Sequence, residues 1–125
     1  MAIVEKRLYP RLSLRVEDGY FGNFRLDDQE TLVAPIVNIS AGGLCMVADA
    51  RGKIRQGAIF ILRNIIGGAN FSFVSEISGD IRWIKQLGSP NQVSVGCRFH
   101  NMTDSLRLQL TKFVDSERMV RGQYD

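Results

Sequence analysis

The chain has 125 residues, 45% of them hydrophobic and 23% charged, with 16 Lys and Arg against 13 Asp and Glu for a net charge of +3. That length argues for one domain, and the composition lies near the globular average, which excludes a collagen-like, coiled-coil or largely disordered chain. A domain of this size buries roughly two thirds of the surface its unfolded chain exposes, so it needs neither a disulfide nor a metal to fold. Cys45 and Cys97 stand far apart without a Cys-x-x-Cys pattern, and His100 is the one histidine. Structural zinc and a thioredoxin-type pair therefore both lack their signature. No secretory apolar region opens the chain and no run approaches about 18 uninterrupted apolar residues, so a cytoplasmic location without membrane insertion is expected.

In chain order, the first expected element is a strand over residues 12–16, where Leu12, Leu14 and Val16 alternate with Ser13 and Arg15. Runs rich in Val, Ile, Phe and Leu at 31–39, 44–48, 58–63 and 71–87, bounded by glycine or polar turns, read as further strands. Gly67-Gly68 predicts a tight hairpin, and Gly79-Asp80 a bulge or bend. Along 93–99, Val93, Val95, Cys97 and Phe99 share one face and Ser94, Gly96 and Arg98 the other, which makes Cys97 a small core residue. About six strands result. A helix over 103–119 closes the chain: Leu106, Leu110, Phe113 and Val114 form an apolar stripe, and Thr103 with Asp104 supplies the N-cap. Its charges are balanced, which suits a lid on a barrel end or a dimer surface. The architecture is all-β with one terminal helix, as a monomer or homodimer.

Charge concentrates at the front, where Lys6, Arg7, Arg11 and Arg15 face Glu5 alone. Arg7 and Arg11 are spaced i,i+4, but Pro10 lacks an amide hydrogen and pushes Tyr9 towards an extended conformation, so both belong to a loop entering the first strand. Two guanidinium forks on such a loop can give bidentate bonds to phosphate or to a guanine edge. Asn38-Ile39-Ser40-Ala41-Gly42-Gly43 ends a strand, where Asn38 and Ser40 share a face. Gly42 and Gly43 at the turn permit unusual φ and close approach of a ligand to the backbone. The plainer readings are a solvated basic tail and a polar turn whose Asn38 and Ser40 bond their own main chain.

Together, Arg7-Leu8-Tyr9-Pro10-Arg11 as RxxxR and Asn38-x-Ser40-x-x-Gly43 as NxSxxG resemble the motif pair of PilZ domains. The Ile81-Arg82-Trp83 strand, the Val95-Gly96-Cys97-Arg98-Phe99 strand and the closing helix follow in the family's order, so the resemblance covers nearly the whole chain. It implies a six-stranded antiparallel PilZ-type β-barrel, residues 12–100, with a C-terminal helix at 103–119, preceded by a flexible arginine loop at 1–11, all in one domain. It implies a cyclic di-GMP receptor rather than an enzyme, with no cofactor and no metal. Arg7 and Arg11 would clamp guanine edges and phosphates, and Asn38, Ser40 and Gly43 would contact a guanine. Lys6 and Gly42 are possible additional contacts, Lys6 because its position is linked in the family to whether one ligand or an intercalated pair binds. With no output domain in this sequence, the ordered loop is expected to act on an unidentified partner protein, in motility, biofilm or exopolysaccharide control.

Two other readings compete: a PilZ-like protein-interaction module that does not bind the ligand, and a small barrel binding nucleic acid through its basic front. The intact arginines argue against the first. The short basic cluster, with Tyr9 its one aromatic, argues against the second, and no nucleic acid is expected as partner. Trp83 reads as core or rim packing in preference to a base-stacking platform. Arg82 and Arg98 are outward residues that either add charge to the ligand face or solubilise it, and His100 reads as a capping or surface group. No nucleophile with a nearby base appears, and Asp27-Asp28 reads as a solvated turn.

Overall fold

The structure, a computed structural model, describes residues 9–26, 31–49, 54–67, 71–72, 74, 76–100 and 102–123. Among these described residues, seven strands and one α-helix follow in order: β1 (Leu12–Ser13), β2 (Phe21–Leu26), β3 (Thr31–Ser40), β4 (Gly43–Asp49), β5 (Ile59–Ile66), β6 (Ile77–Gln86), β7 (Gln92–Phe99) and α1 (Asp104–Val120). Six of the strands form a ring in the order β3-β2-β5-β6-β7-β4, closed by pairing of β4 back onto β3, and every pairing is antiparallel. Closure removes the free edges that an open sheet of this size would expose. The expected six-stranded barrel with a terminal helix is thus the fold observed, with β1 as a short seventh strand on β3.

β1 and β2 occupy one edge of β3 in succession. Leu12 and Ser13 pair with Ile39 and Asn38, and Leu14 N–H donates to Val37 O. The ladder resumes where Ile36 N–H donates to Tyr20 O and Phe21 pairs with Pro35. Residues 15–19 leave the ladder between these points as a 3-10 turn over Val16–Asp18. This corrects the expected strand at 12–16: the alternation holds through buried Leu12 and Leu14, but Val16 enters the turn and is 49% exposed. The strand β2 was not foreseen. Its alternation is regular, with Gly22, Phe24 and Leu26 inward, but one inward position is a glycine over which the Phe24 ring folds back, a Cβ there lying 2.4 Å from the ring. The bulge in this pairing falls on β5, where Arg63 is the extra residue opposite Asn23/Phe24.

Two turn expectations also change. β5 ends at Ile66 and β6 begins at Ile77, so Gly67-Gly68 does not join adjacent strands as a tight hairpin. Gly67 has φ 125°, lying where a Cβ would be 2.1 Å from Gly19 O; Gly68 is outside the described residues. Gly79 and Asp80 pair regularly with Phe99 and Arg98, and the bulge in β6 falls instead between Ile81 and Trp83. β6 accordingly covers only part of the expected 71–87 run. Asp27-Asp28 is outside the described residues.

The barrel is filled by alternate residues of each strand, among them Phe24 and Phe60, whose rings meet edge to face at 5.6 Å. α1 begins as expected, with Leu106 N–H donating to Thr103 Oγ1 at 3.1 Å, and its stripe buries Leu110 and Val114 completely. Phe113 meets Phe71 edge to face, ring centroids 4.3 Å apart, and Phe71 in turn meets Tyr20. The residues after the helix secure β1: the Gln123 side-chain amide accepts from Ser13 N–H and donates to Ser13 O, at 2.8 and 3.0 Å. Arg121 pairs with Asp18 at 3.0 Å, and Asp18 also accepts from Arg15 N–H, which holds its carboxyl below the ordinary value. Gln123→Ala is expected to remove both bonds on the open edge of β1 and lower stability by about 1 kcal/mol, read as a lower urea midpoint at unchanged m.

Candidate functional site

The strand register brings the two sequence motifs together. Leu12 pairs with Ile39 and Ser13 with Asn38, so the chain preceding β1 runs alongside the turn that follows β3. Tyr9 lies over that turn, its ring where a Cβ on Gly42 would be at 3.1 Å. Arg11 is exposed and sits at the mouth of a groove of about 630 Å³ whose lining includes Tyr9, Asn38, Ser40, Gly42 and Gly43. Arg7 and Lys6 are outside the described residues.

β3 and β4 are joined by a two-residue turn, Ala41-Gly42. Ser40 is 6% exposed, and its hydroxyl oxygen accepts from Gly42 N–H at 3.1 Å, which braces the turn. That is the plainer role foreseen for this side chain, and the hydroxyl retains a second lone pair. Neither Gly42 nor Gly43 takes a positive φ, so the freedom the turn permits is not used there. Gly43 is required for another reason: a Cβ there would lie 2.1 Å from the Cys97 carbonyl oxygen across the β4–β7 ladder.

Two cross-strand rows make up the outer face under the groove. One runs Asn38, Cys45, Gly96, Trp83 across β3, β4, β7 and β6, and the next runs Ser40, Gly43, Arg98, Asp80. The bulge in β6 puts Arg82 and Trp83 both on the exposed side, between inward Ile81 and half-buried Ile84. Trp83 is 43% exposed, and its indole packs against β7 where Gly96 leaves room; a Cβ on Gly96 would be 2.1 Å from the ring. Of the expected core or rim packing, Trp83 takes the rim position. The signal was present, since Ile81-Arg82-Trp83-Ile84 places two residues between inward positions where a regular strand allows one.

Among the described residues, four arginines line the groove: Arg11, Arg82, Arg98 and Arg107. No carboxylate is among its described lining residues. Arg107 comes from the first turn of α1, fixed by Asp104 at 3.0 Å and by Met102 O at 3.3 Å; nothing in its helical pattern marked it as a site residue. His100 does not cap α1. Its Nε2–H donates to Asp80 Oδ1 at 2.7 Å, and Arg98 Nε–H donates to the same oxygen at 3.3 Å. Burial pushes the Asp80 carboxyl up, but the His100 hydrogen bond and the Arg98 charge outweigh it and leave it below its ordinary value. The stability this contributes is present above the unfolded carboxylate pKa and is lost as pH falls through the lowered native one.

Cys97 faces the core, as its place in the β7 alternation implied, and burial pushes its thiol up to about 12. In a Cys45→Ala background the folded protein should therefore release no thionitrobenzoate from Ellman's reagent at pH 8, and one equivalent when denatured.

The groove is thus a cationic surface with a flat glycine-lined floor and an aromatic wall, suited to a planar anion. A family model described as the PilZ domain matches residues 5–116. The chain belongs to the PilZ domain family. Membership makes it a non-catalytic module. Among solved structures, this PilZ domain resembles the PilZ domain with c-di-GMP of YcgR from Escherichia coli, with a TM-score of 0.74 at 23% identity, covering 95% of this chain and 97% of that one. It resembles the MrkH–c-di-GMP complex of K. pneumonia with a TM-score of 0.74 at 18% identity, covering 97% of this chain and 56% of that one. Bacillus subtilis MotI/DgrA, an inhibitor of motility, gives 0.65 at 14% identity, with 94% and 53% covered. At these identities the likeness is one of fold, and the chain spans little more than half of the MrkH and MotI chains. No curated protein sequence matches it. No helix among the described residues is long and apolar enough to cross a membrane.

Proposed function

We propose that this PilZ domain is a receptor for cyclic di-GMP. The observation that carries the reading is the groove itself, where the cross-strand register sets Arg11 beside the Asn38–Gly43 turn and four arginines face the ligand space with no lining carboxylate among the described residues. In this reading Arg7 and Arg11 clamp the phosphates and guanine edges, Asn38 and the Gly42–Gly43 backbone meet a guanine, Ser40 braces that turn, and Lys6 adds a cation. Trp83 offers the face on which a base stacks. The bound PilZ domains of YcgR and MrkH support the choice of ligand.

Residues 1–11 act as an arginine arm on the barrel of residues 12–100. Ligand binding orders this arm over the groove, where charge-assisted hydrogen bonds offset the conformational entropy lost. The covered groove is the surface read by a partner protein in motility, biofilm or exopolysaccharide control.

Calorimetric titration of the folded protein tests the ligand, with GMP as control. Saturable heat with cyclic di-GMP and little with GMP is expected, and the curve gives the stoichiometry. Absence of heat from folded protein would overturn the receptor reading and leave the non-binding interaction module.

A further inference from the structure

Arg98 is not part of either sequence motif, yet it sits in the same cross-strand row as Ser40 and Gly43. Its direct neighbour, Gly43, has no side chain to cover it, and its own side chain is 54% exposed in the groove. The bond to Asp80 uses only Nε–H, whereas a guanidinium carries five N–H donors. Asp80 thus anchors one edge of the fork and leaves the remaining donors to a second acceptor. The same Asp80 oxygen accepts from His100. Arg98 and His100 on the β7 side are the charged or titratable groups that bear on Asp80, and its neighbour across β5 is Ile59.

We propose that Arg98 is a further anion-contacting residue of the groove, and that Asp80 and His100 position it so that the protein's single histidine sets how strongly the groove holds an anionic ligand. This rests on the cyclic di-GMP reading for the identity of the ligand. With His100 neutral, the Asp80 charge is balanced by Arg98 alone. With His100 protonated, the imidazolium shares that carboxylate, and more of the Arg98 charge is available to a phosphate. Phosphodiester anions keep their charge between pH 5 and 8, so a pH dependence of binding in that range belongs to the protein, which has one histidine to test by substitution.

The experiment follows fluorescence of Trp83, the sole tryptophan, during cyclic di-GMP titration at pH 6 and pH 8. Wild type is expected to bind roughly three- to ten-fold tighter at pH 6, the effect of one screened unit charge several ångströms from a dianion. His100→Gln, which retains a donor to Asp80, should bind with equal affinity at both pH values. Arg98→Gln should weaken binding and flatten the profile. Equal wild-type affinity at both pH values, or undiminished binding by Arg98→Gln, overturns the proposal and leaves the receptor reading standing. If wild type binds no cyclic di-GMP, the receptor reading fails instead, and dimethyl phosphate, a phosphodiester of constant charge, serves as probe. A dimethyl phosphate-induced shift of the Arg98 Nε–H resonance, larger at pH 6, upholds the anion site, and no shift overturns it.

Discussion

Arg11→Ala should weaken cyclic di-GMP binding by about 10- to 100-fold while leaving the unfolding midpoint within about 0.5 kcal/mol of wild type. The two halves of this expectation have separate grounds. Arg11 is exposed at the groove mouth, immediately before Leu12, which is fully buried and paired with Ile39. Its backbone is therefore held by the barrel while its side chain is free of any core role, so truncation removes donors without loosening the fold. Loss of a bidentate, charge-assisted pair to a phosphate is among the larger single-residue effects available to a polar site. Arg11→Lys keeps the charge but not the planar fork, and should recover only part of the affinity. Calorimetry on both variants decides the matter. Full recovery by lysine would mean that the groove reads charge alone, and unchanged affinity in Arg11→Ala would remove this residue from the site.

The parts of the molecule that were readable in advance are those where local pattern and tertiary demand agree. β7 alternates cleanly because one face meets the core and the other meets solvent, and α1 shows its stripe because Leu110 and Val114 enter the same core. The unreadable parts are irregularities. Gly22 hides β2, since an inward glycine whose place the Phe24 ring fills leaves only Phe24 and Leu26 to show the alternation. Val16 looks like a third inward residue and instead starts the 3-10 turn. The motifs named the β3–β4 side of the groove. On the opposite wall, Arg82 and Arg98 were legible as outward residues and the bulge that exposes Trp83 as the two-residue step between Ile81 and Ile84, whereas Arg107 arrives through the docking of a helix onto the barrel. That docking is a long-range consequence of closure, which no local window of sequence contains.

The NxSxxG glycine shows how far one residue can serve structure and site at once. Gly43→Ala should destabilise the domain by about 3 kcal/mol, a shift of about 1.5 M in urea midpoint. The new Cβ would sit 2.1 Å from the Cys97 carbonyl oxygen and 3.3 Å from Arg98 Cα, both backbone atoms that no rotamer change can move aside. Relief requires β4 and β7 to part where Gly43 pairs with Arg98, next to the point at which Phe99 N–H donates to Gly42 O. Gly42→Ala is the informative companion. Its Cβ would meet only the Tyr9 ring, at 3.1 Å, and the ring can yield, so the stability change should stay below about 1 kcal/mol. Displacing Tyr9 from the turn should nevertheless weaken ligand binding, because Tyr9 precedes Arg11 by two residues. Chemical denaturation and calorimetry on the pair separate the two roles. A stable Gly43→Ala would show that the strands tolerate the methyl group and that the glycine serves ligand approach instead. An unstable Gly43→Ala beside a stable but weakly binding Gly42→Ala would assign strand packing to Gly43 and ligand approach to Gly42.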